Sequence, residues 1–211
     1  MSINNNNLDL LIKDLSFYPN TKLLIVTKNQ KIEDISELNL RGFNVFGENR
    51  VQEAQAKYES FSNLNQIDLH LIGPLQTNKV KTALRLFNVI QTIDRSKLVD
   101  EIAKQLNNLS IIKTKDFYIQ VNIGDEKQKS GIHKKHLIDL YNYSIDRKIN
   151  IVGLMCIPPN ISDTSESFKE MTELRDKTNK DLKLSMGMSN DYKIALNFQT
   201  NIIRVGSLIF K

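Results

Sequence analysis

The stretch KLLIVTK, Lys22 to Lys28, decides how the chain is read: five apolar or β-branched residues between two lysines, the second closing the run. A short run of this kind reads as a buried strand. Parallel sheets and barrels keep their chemistry at the carboxyl ends of strands, and a lysine amine there can form a Schiff base with an aldehyde. Lys28 is therefore the first candidate for a covalent anchor.

Working outward, seven further runs repeat the pattern: Asn44–Phe46, Leu69–Ile72, Val89–Ile93, Phe117–Ile123, Ile151–Ile157, Leu182–Met186 and Ile202–Ile209. Segments with helical spacing lie between them. Leu8, Leu11, Ile12 and Leu15 recur at i, i+3, i+4 and i+7, as do Val80, Ala83, Leu84 and Phe87, and Val99, Ile102, Ala103 and Leu106. Val51, Ala54, Tyr58 and Phe61 form another stripe, and Leu137, Leu140, Tyr141 and Ile145 a fifth. Such stripes mark helix faces turned to a core. Alternating strands and helices imply right-handed βαβ units, hence a doubly wound sheet or a closed barrel. Eight runs favour the α/β architecture of a single-domain (β/α)8 TIM barrel spanning residues 1–211, with residues 1–20 as a leader helix.

Composition sets bounds on function. A chain of 211 residues with 40% hydrophobic content fits one domain with a substantial core. The net charge is +5 and the pI about 9.1, yet the basic residues are scattered among 24 acidic ones. Nucleic acid is not an expected partner, and anionic small molecules are compatible with that charge. Cys156 is the single cysteine, so neither an internal disulfide nor a multi-cysteine metal site is expected, and its expected role is apolar packing. No secretory signal or membrane span is evident, so a cytoplasmic protein with no membrane partner is expected. Asn4 to Asn7 read as a frayed leader to the first helix.

Polar, glycine and proline residues punctuate the run ends. Asp94-Arg95 follows run four, and Gly47-Glu48-Asn49 and Gly73-Pro74 follow runs two and three. The seventh and eighth ends, Gly187-Met188-Ser189 before a helix expected over 191–199 and Arg204 with Gly206-Ser207, suit a phosphate, which barrels commonly bind there. An amine and a phosphate cradle at one mouth suit pyridoxal 5′-phosphate. Arg204, at strand spacing from Gly206, could partner its pyridine nitrogen, a weaker electron-sink arrangement than an aspartate provides. His70 is read as a pocket residue, in competition with a buried, hydrogen-bonded histidine. His133 and His136 are expected in solvent. Glu48 and Glu53 could anchor a helix start, and neither is assigned as a base.

The ordered motifs VTK (Val26–Lys28), FGENRVQEA (Phe46–Ala54), HLIGPLQTNK (His70–Lys79), TIDR (Thr92–Arg95), QVNIGDEKQKSG (Gln120–Gly131), GLMCIP (Gly153–Pro158), SMGMSND (Ser185–Asp191) and RVGSLIF (Arg204–Phe210) resemble the pyridoxal phosphate homeostasis proteins, whose fold is similar to the alanine racemase barrel domain. The resemblance implies that Lys28 carries the cofactor, that Ser189, Gly206 and Ser207 hold its phosphate, that Arg204 faces the ring nitrogen, and that Asn49 lies beside it. Met188 belongs to the same phosphate loop. The resemblance also implies a cytoplasmic binder that maintains vitamin B6 balance and has no catalytic residues or metal. Pyridoxal phosphate and pyridoxal phosphate-dependent enzymes are the expected partners of a monomer. The family's glycine and basic-aromatic tail after the last strand are not seen beyond Phe210-Lys211, so a shortened final cap is expected, and the brief leader helix implies a weaker lower closure. An amino-acid racemase is the alternative reading, although the second base that racemases take from an added domain has no room in 211 residues. A lysine-dependent aldolase acting on a sugar phosphate is a further one.

Overall fold

The computed structural model describes residues 3–59, 61 and 66–210. Its strands are β1 (Lys22–Val26), β2 (Val45–Glu48), β3 (Asp68–Leu71), β4 (Val89–Ile93), β5 (Asp116–Asn122), β6 (Ile132–His133), β7 (Ile151–Cys156), β8 (Lys183–Met188) and β9 (Ile202–Val205). All pair in parallel, and eight of them form a ring that closes through β1 against β9 and β4 against β5, while the two-residue β6 adds to β5. The expected (β/α)8 barrel is thus the observed one. The helices are α1 (Asn5–Leu15), α2 (Ile32–Leu40), α3 (Val51–Tyr58), α4 (Val80–Leu86), α5 (Ser96–Asn108), α6 (Leu137–Asp146), α7 (Ser165–Thr178) and α8 (Tyr192–Leu196).

Period-two alternation along each strand divides the interior into two layers. Phe46, Leu69, Leu71, Ile90, Phe117 and Ile119 face outward and pack beneath the helices in the main core. Leu24, Ile72, Val89, Tyr118, Met155 and Ile202 fill the lumen. The helix stripes supply the other half of the outer layer. Val80, Ala83, Leu84 and Phe87 are all fully buried, as are Val99 and Ile102 of α5, whose Lys97, Asp100 and Lys104 face solvent. Burying each large apolar side chain contributes about 1.5–3 kcal/mol. Two stripe positions are marginal, since Ile12 and Ile145 are exposed.

Several sequence expectations need correction. The eighth run stops at Val205 rather than Ile209, because the amides of Ile209 and Phe210 turn back onto the Gly206 carbonyl. The helix expected over 191–199 is only Tyr192–Leu196, ended by Gln199 in the left-handed region at φ 57°. Asn4 to Asn7 are no frayed leader. Asn4 caps α1 by accepting the Asn7 amide at 3.0 Å, and Asn7 Nδ2 donates to the Leu208 carbonyl at 2.9 Å. The Asn4 amide also donates to Ile209 O, and Ile3 bridges Phe210, so the start of α1 is stitched to the segment after β9. Of the final Phe210-Lys211, Lys211 lies outside the described residues.

Candidate functional site

The ends of β8, β9, β1, β2 and β3 form one arc of the barrel's carboxyl mouth, and most of the sequence-predicted residues lie on it. Ring pairing sets Arg204 opposite both Met188 and Leu24, and Val26 opposite Gly47. Gly206 is pressed against Val26, where a Cβ would stand 3.0 Å from the valine's carbonyl oxygen and Cβ. Gly73 lies against the backbone of Asn49 so closely that a Cβ would come within 2.1 Å of the Asn49 carbonyl oxygen, so only glycine lets these two loops touch.

Lys28 follows Val26 by two residues, in the lumen-facing phase of β1, and is exposed in the turn beyond the strand. Among the described residues no ion pair or hydrogen bond engages its amine. Thr27 points the other way, behind the barrel wall. Its hydroxyl donates to Glu48 Oε1 at 2.7 Å, which leaves the Tyr58 hydroxyl, 3.0 Å away, to donate to Thr27. Glu48 is fully buried, and its cation is Lys57 of α3, Nζ to Oε1 2.7 Å. Burial pushes the Glu48 carboxyl up from its ordinary value, with Lys57 and the Thr27 hydroxyl pulling it back only in part. Burial likewise raises the Tyr58 hydroxyl, and the Glu48 charge adds to that. The helix-start expectation is met by Glu53, the acidic residue in the first turn of α3, and not by Glu48, which ends β2 and is taken by Lys57; the helix begins after Arg50 with no side-chain cap.

The loop after β8 is built by reciprocal bonds. The Met188 amide donates to Asp191 Oδ1 at 2.6 Å, and the Asp191 amide donates to the Met188 carbonyl at 3.1 Å. Gly187 enters this loop at φ 96°, a region that L side chains rarely adopt, with Ala195 Cβ 2.7 Å from where its own Cβ would be. The amides of Gly206 and Leu208 converge on Ser189 Oγ, both at 3.4 Å. Bonds that long are weak. Two half-used backbone donors and a hydroxyl, beside three adjacent strand ends, fit the oxygens of a phosphate, and the cradle is made of these backbone groups rather than of a long helix terminus. Ser207 is exposed on the same turn.

Arg204 is buried in the lumen at 3% exposure. Nη1 donates to Ser185 O at 2.6 Å and to Ser185 Oγ at 2.9 Å, and Nη2 to Cys156 O at 2.7 Å. Burial lowers its pKa from the ordinary value, an effect that Cys156 and Asp191 oppose. The chain continues inward. Ser185 Oγ donates to Gln91 Oε1 at 2.6 Å, and Gln91 Nε2 lies 2.8 Å from His70 Nδ1. A guanidinium only donates, so every link runs away from Arg204, His70 Nδ1 is an acceptor, and the neutral ring carries its proton on Nε2. His70 Nε2 is 3.3 Å from Asp68 Oδ1, without hydrogen-bond geometry. His70 thus lies below the mouth and reaches it through Gln91, Ser185 and Arg204. Cys156 packs in the outer core, its thiol pushed up to about 12 by burial.

Sequence reasoning passed over Lys57, Gln91, Ser185 and Asp191 as supports of the site, and gave Glu53 only a helix-start role. The i,i+4 spacing of Glu53 and Lys57 signalled a helix pair, and a glutamine inside the apolar run Val89–Ile93 signalled a buried polar contact without saying on which face of the strand. The Asp of SND signalled a loop closure.

The fold and mouth define a class, the parallel barrels that include the alanine racemase domain: alanine racemase from Clostridium difficile superposes with a TM-score of 0.76 at 11% identity, over 98% of this chain and 57% of that one. The likeness is one of fold. PipY of Synechococcus elongatus, solved without PLP, has a TM-score of 0.87 at 31% identity, with 98% of this chain and 99% of that one covered. Its PLP-bound form has a TM-score of 0.85 at 30% identity over the same shares. A pyridoxal phosphate homeostasis protein from Aquifex aeolicus is 38% identical over 198 residues, 90% of this chain and 86% of its own. No family model matches the chain. At that identity and coverage, the chain belongs to the pyridoxal phosphate homeostasis protein family.

Proposed function

We propose that this protein binds pyridoxal 5′-phosphate and serves vitamin B6 homeostasis, holding the cofactor as a Schiff base on Lys28. The observation that carries this reading is the arc of β8, β9, β1 and β2 ends, where an unengaged lysine, two half-used backbone amides beside Ser189 and a lumen-held arginine adjoin. The cofactor would supply an aldehyde to the lysine and a phosphate to the loop. Ser189, Gly206 and Ser207, with Met188 shaping the loop, are assigned to the phosphate, Arg204 to the ring nitrogen and Asn49 to the flank. His70 is assigned to the site indirectly, through its chain to Arg204.

The reading extends to a carrier rather than a catalyst, acting as a monomer in the cytoplasm and supplying pyridoxal phosphate-dependent enzymes. Its support is that titratable groups around the rim already hold protein groups: Glu48 pairs with Lys57, Asp191 with the Met188 amide, Glu126 with Lys129, and Asp125 with Lys134. Among the described residues no helix is long and apolar enough to cross a membrane. The test is an absorbance spectrum of the protein loaded with pyridoxal phosphate, before and after borohydride, followed by peptide mapping. The expected result is a reducible band and a fixed adduct on Lys28. Retention of the band and the adduct in Lys28→Ala would refute the anchor, and racemisation of alanine at enzymatic rates would refute the carrier.

A further inference from the structure

Helix α3 holds the backbone on both sides of Lys28 from outside the barrel. Lys57 Nζ donates to the carbonyl of Thr27, the preceding residue, at 2.7 Å. Glu53 Oε1 accepts the amide of Asn29, the following residue, at 2.6 Å. Glu53 and Lys57 stand one turn apart on α3 and pair with each other at 3.3 Å, and the buried Glu48 holds the lysine from behind. The segment so held is not one that keeps its shape unaided. Asn29 sits at φ 60°, a left-handed conformation that asparagine tolerates better than other side chains but does not favour over the right-handed and extended ones, so its neighbours help to select it.

We propose that Glu53 and Lys57 are positioning residues for the Lys28 amine, forming a clamp that fixes the turn so that the lysine faces the mouth. The proposal rests on the reading of Lys28 as the cofactor anchor. Neither residue reaches Lys28 directly: Lys57 lies behind the wall with Thr27 and Tyr58, and Glu53 meets Asn29 at the exposed edge of the turn. Their effect is on the population of the turn: if it samples other conformations, the apparent affinity for an aldehyde falls by the fraction of molecules in the competent one. The two anchors also differ in kind. Lys57 is committed to a buried carboxylate, whereas the main-chain link of Glu53 is a single charge-assisted bond to one amide, so Glu53 can be changed with less damage to the core.

The test compares wild type with Glu53→Ala, Glu53→Gln and Glu53→Asp by three measurements. These are pyridoxal phosphate titration followed by absorbance with borohydride trapping and peptide mapping, amide hydrogen exchange at Asn29 in the cofactor-free protein, and thermal melting. Glu53→Ala is expected to speed exchange at Asn29 and weaken cofactor binding by up to about tenfold, the loss expected for one hydrogen bond weakened by its exposure to solvent. Glu53→Gln keeps an acceptor of the same length and should recover most of the affinity, a rescue that a general loss of stability would not give. Glu53→Asp keeps the charge and withdraws the acceptor by a methylene. It should behave as the alanine variant does, and it reads the clamp if the alanine variant does not fold. Wild-type affinity and exchange in Glu53→Ala or Glu53→Asp overturn the clamp while leaving the anchor intact, whereas a wild-type adduct on a lysine other than Lys28 overturns both.

Discussion

Replacing Lys57 by methionine separates the electrostatic role of the ion pair behind Lys28 from its packing role, because methionine keeps most of the stem and removes the charge. Glu48 is fully buried and Lys57 only 10% exposed, so the substitution leaves a carboxylate in the core with the Thr27 hydroxyl as its one remaining hydrogen-bond donor. Breaking a buried pair from one side costs about 3–5 kcal/mol. The sign with pH follows from Glu48. Its folded pKa is already raised by burial, so the stability it contributes is present below the unfolded carboxylate pKa and is lost as pH rises through the folded one. Without Lys57 the folded value rises further and the loss at neutral pH grows. At about pH 4, where Glu48 is largely protonated in both states, the variant should lose only about 1–2 kcal/mol, for the bond to the Thr27 carbonyl and the changed packing. Urea unfolding of wild type and variant at pH 4 and pH 7 measures the difference at each pH. An equal loss at both pH values would refute the reasoning, as would failure of Glu48→Gln in the Lys57→Met background to restore a large part of the loss at pH 7.

Gly187→Ala should destabilise the protein by about 2–4 kcal/mol in denaturant unfolding, because it adds a Cβ at 2.7 Å from that of Ala195 in a left-handed conformation; a loss below about 1 kcal/mol would show that the loop relaxes. Asn29→Gly should be close to neutral in stability and Asn29→Ala should cost about 1 kcal/mol, because asparagine and glycine tolerate φ 60° better than alanine; the reverse order in thermal melting would count against the strained turn. Gln91→Leu should cost about 2–5 kcal/mol in urea unfolding by leaving the Ser185 hydroxyl proton without its acceptor and His70 Nδ1 without its donor, and should weaken pyridoxal phosphate binding by loosening Arg204; unchanged stability and binding would break the lumen chain.

The barrel was legible because its strands are short apolar runs and its helices carry clear stripes, so each element announced itself locally. Lys28, Ser189, Arg204 and Gly206 were legible for a related reason: ring closure gathers strand ends, and a polar residue at the end of an apolar run is conspicuous. What surrounds them was not. The partner of Glu53 is an amide 24 residues away in sequence, and no local pattern ties a helix pair to the turn between a strand and the preceding helix. Helix-terminus chemistry offered a local explanation for Glu48 and Glu53; it holds for Glu53 in the first turn of α3, while tertiary burial overrode it for Glu48, which ends β2 against Lys57. Gln91 and Ser185 interrupt apolar runs and carry no signal of whether they face lumen or helix until the strand phase is known. The length of the last run was misjudged because Leu208-Ile209-Phe210 is as apolar as a strand, yet it buries itself in a turn against α1.

The site is held at its two ends by different means, and the difference bears on what it can do. Arg204 is gripped from inside the lumen by carbonyls and a serine, on strands that cannot move without opening the barrel. Lys28 is exposed and held only through its neighbours, from α3, across a turn that passes through a left-handed asparagine. On the proposed reading, with Arg204 as ring partner, the Ser189 loop on the phosphate and Lys28 as anchor, covalent capture would be the step that depends on the state of α3. Such an asymmetry would suit the proposed carrier, because binding through the phosphate loop could persist while the lysine linkage is made or broken. If instead both supports were equally stiff, Glu53→Ala and Gln91→Leu would affect non-covalent binding and borohydride-trapped adduct alike. The asymmetry requires that Glu53→Ala lower trapping of Lys28 more than it lowers retention of pyridoxal phosphate in equilibrium dialysis, whereas Gln91→Leu lowers both together.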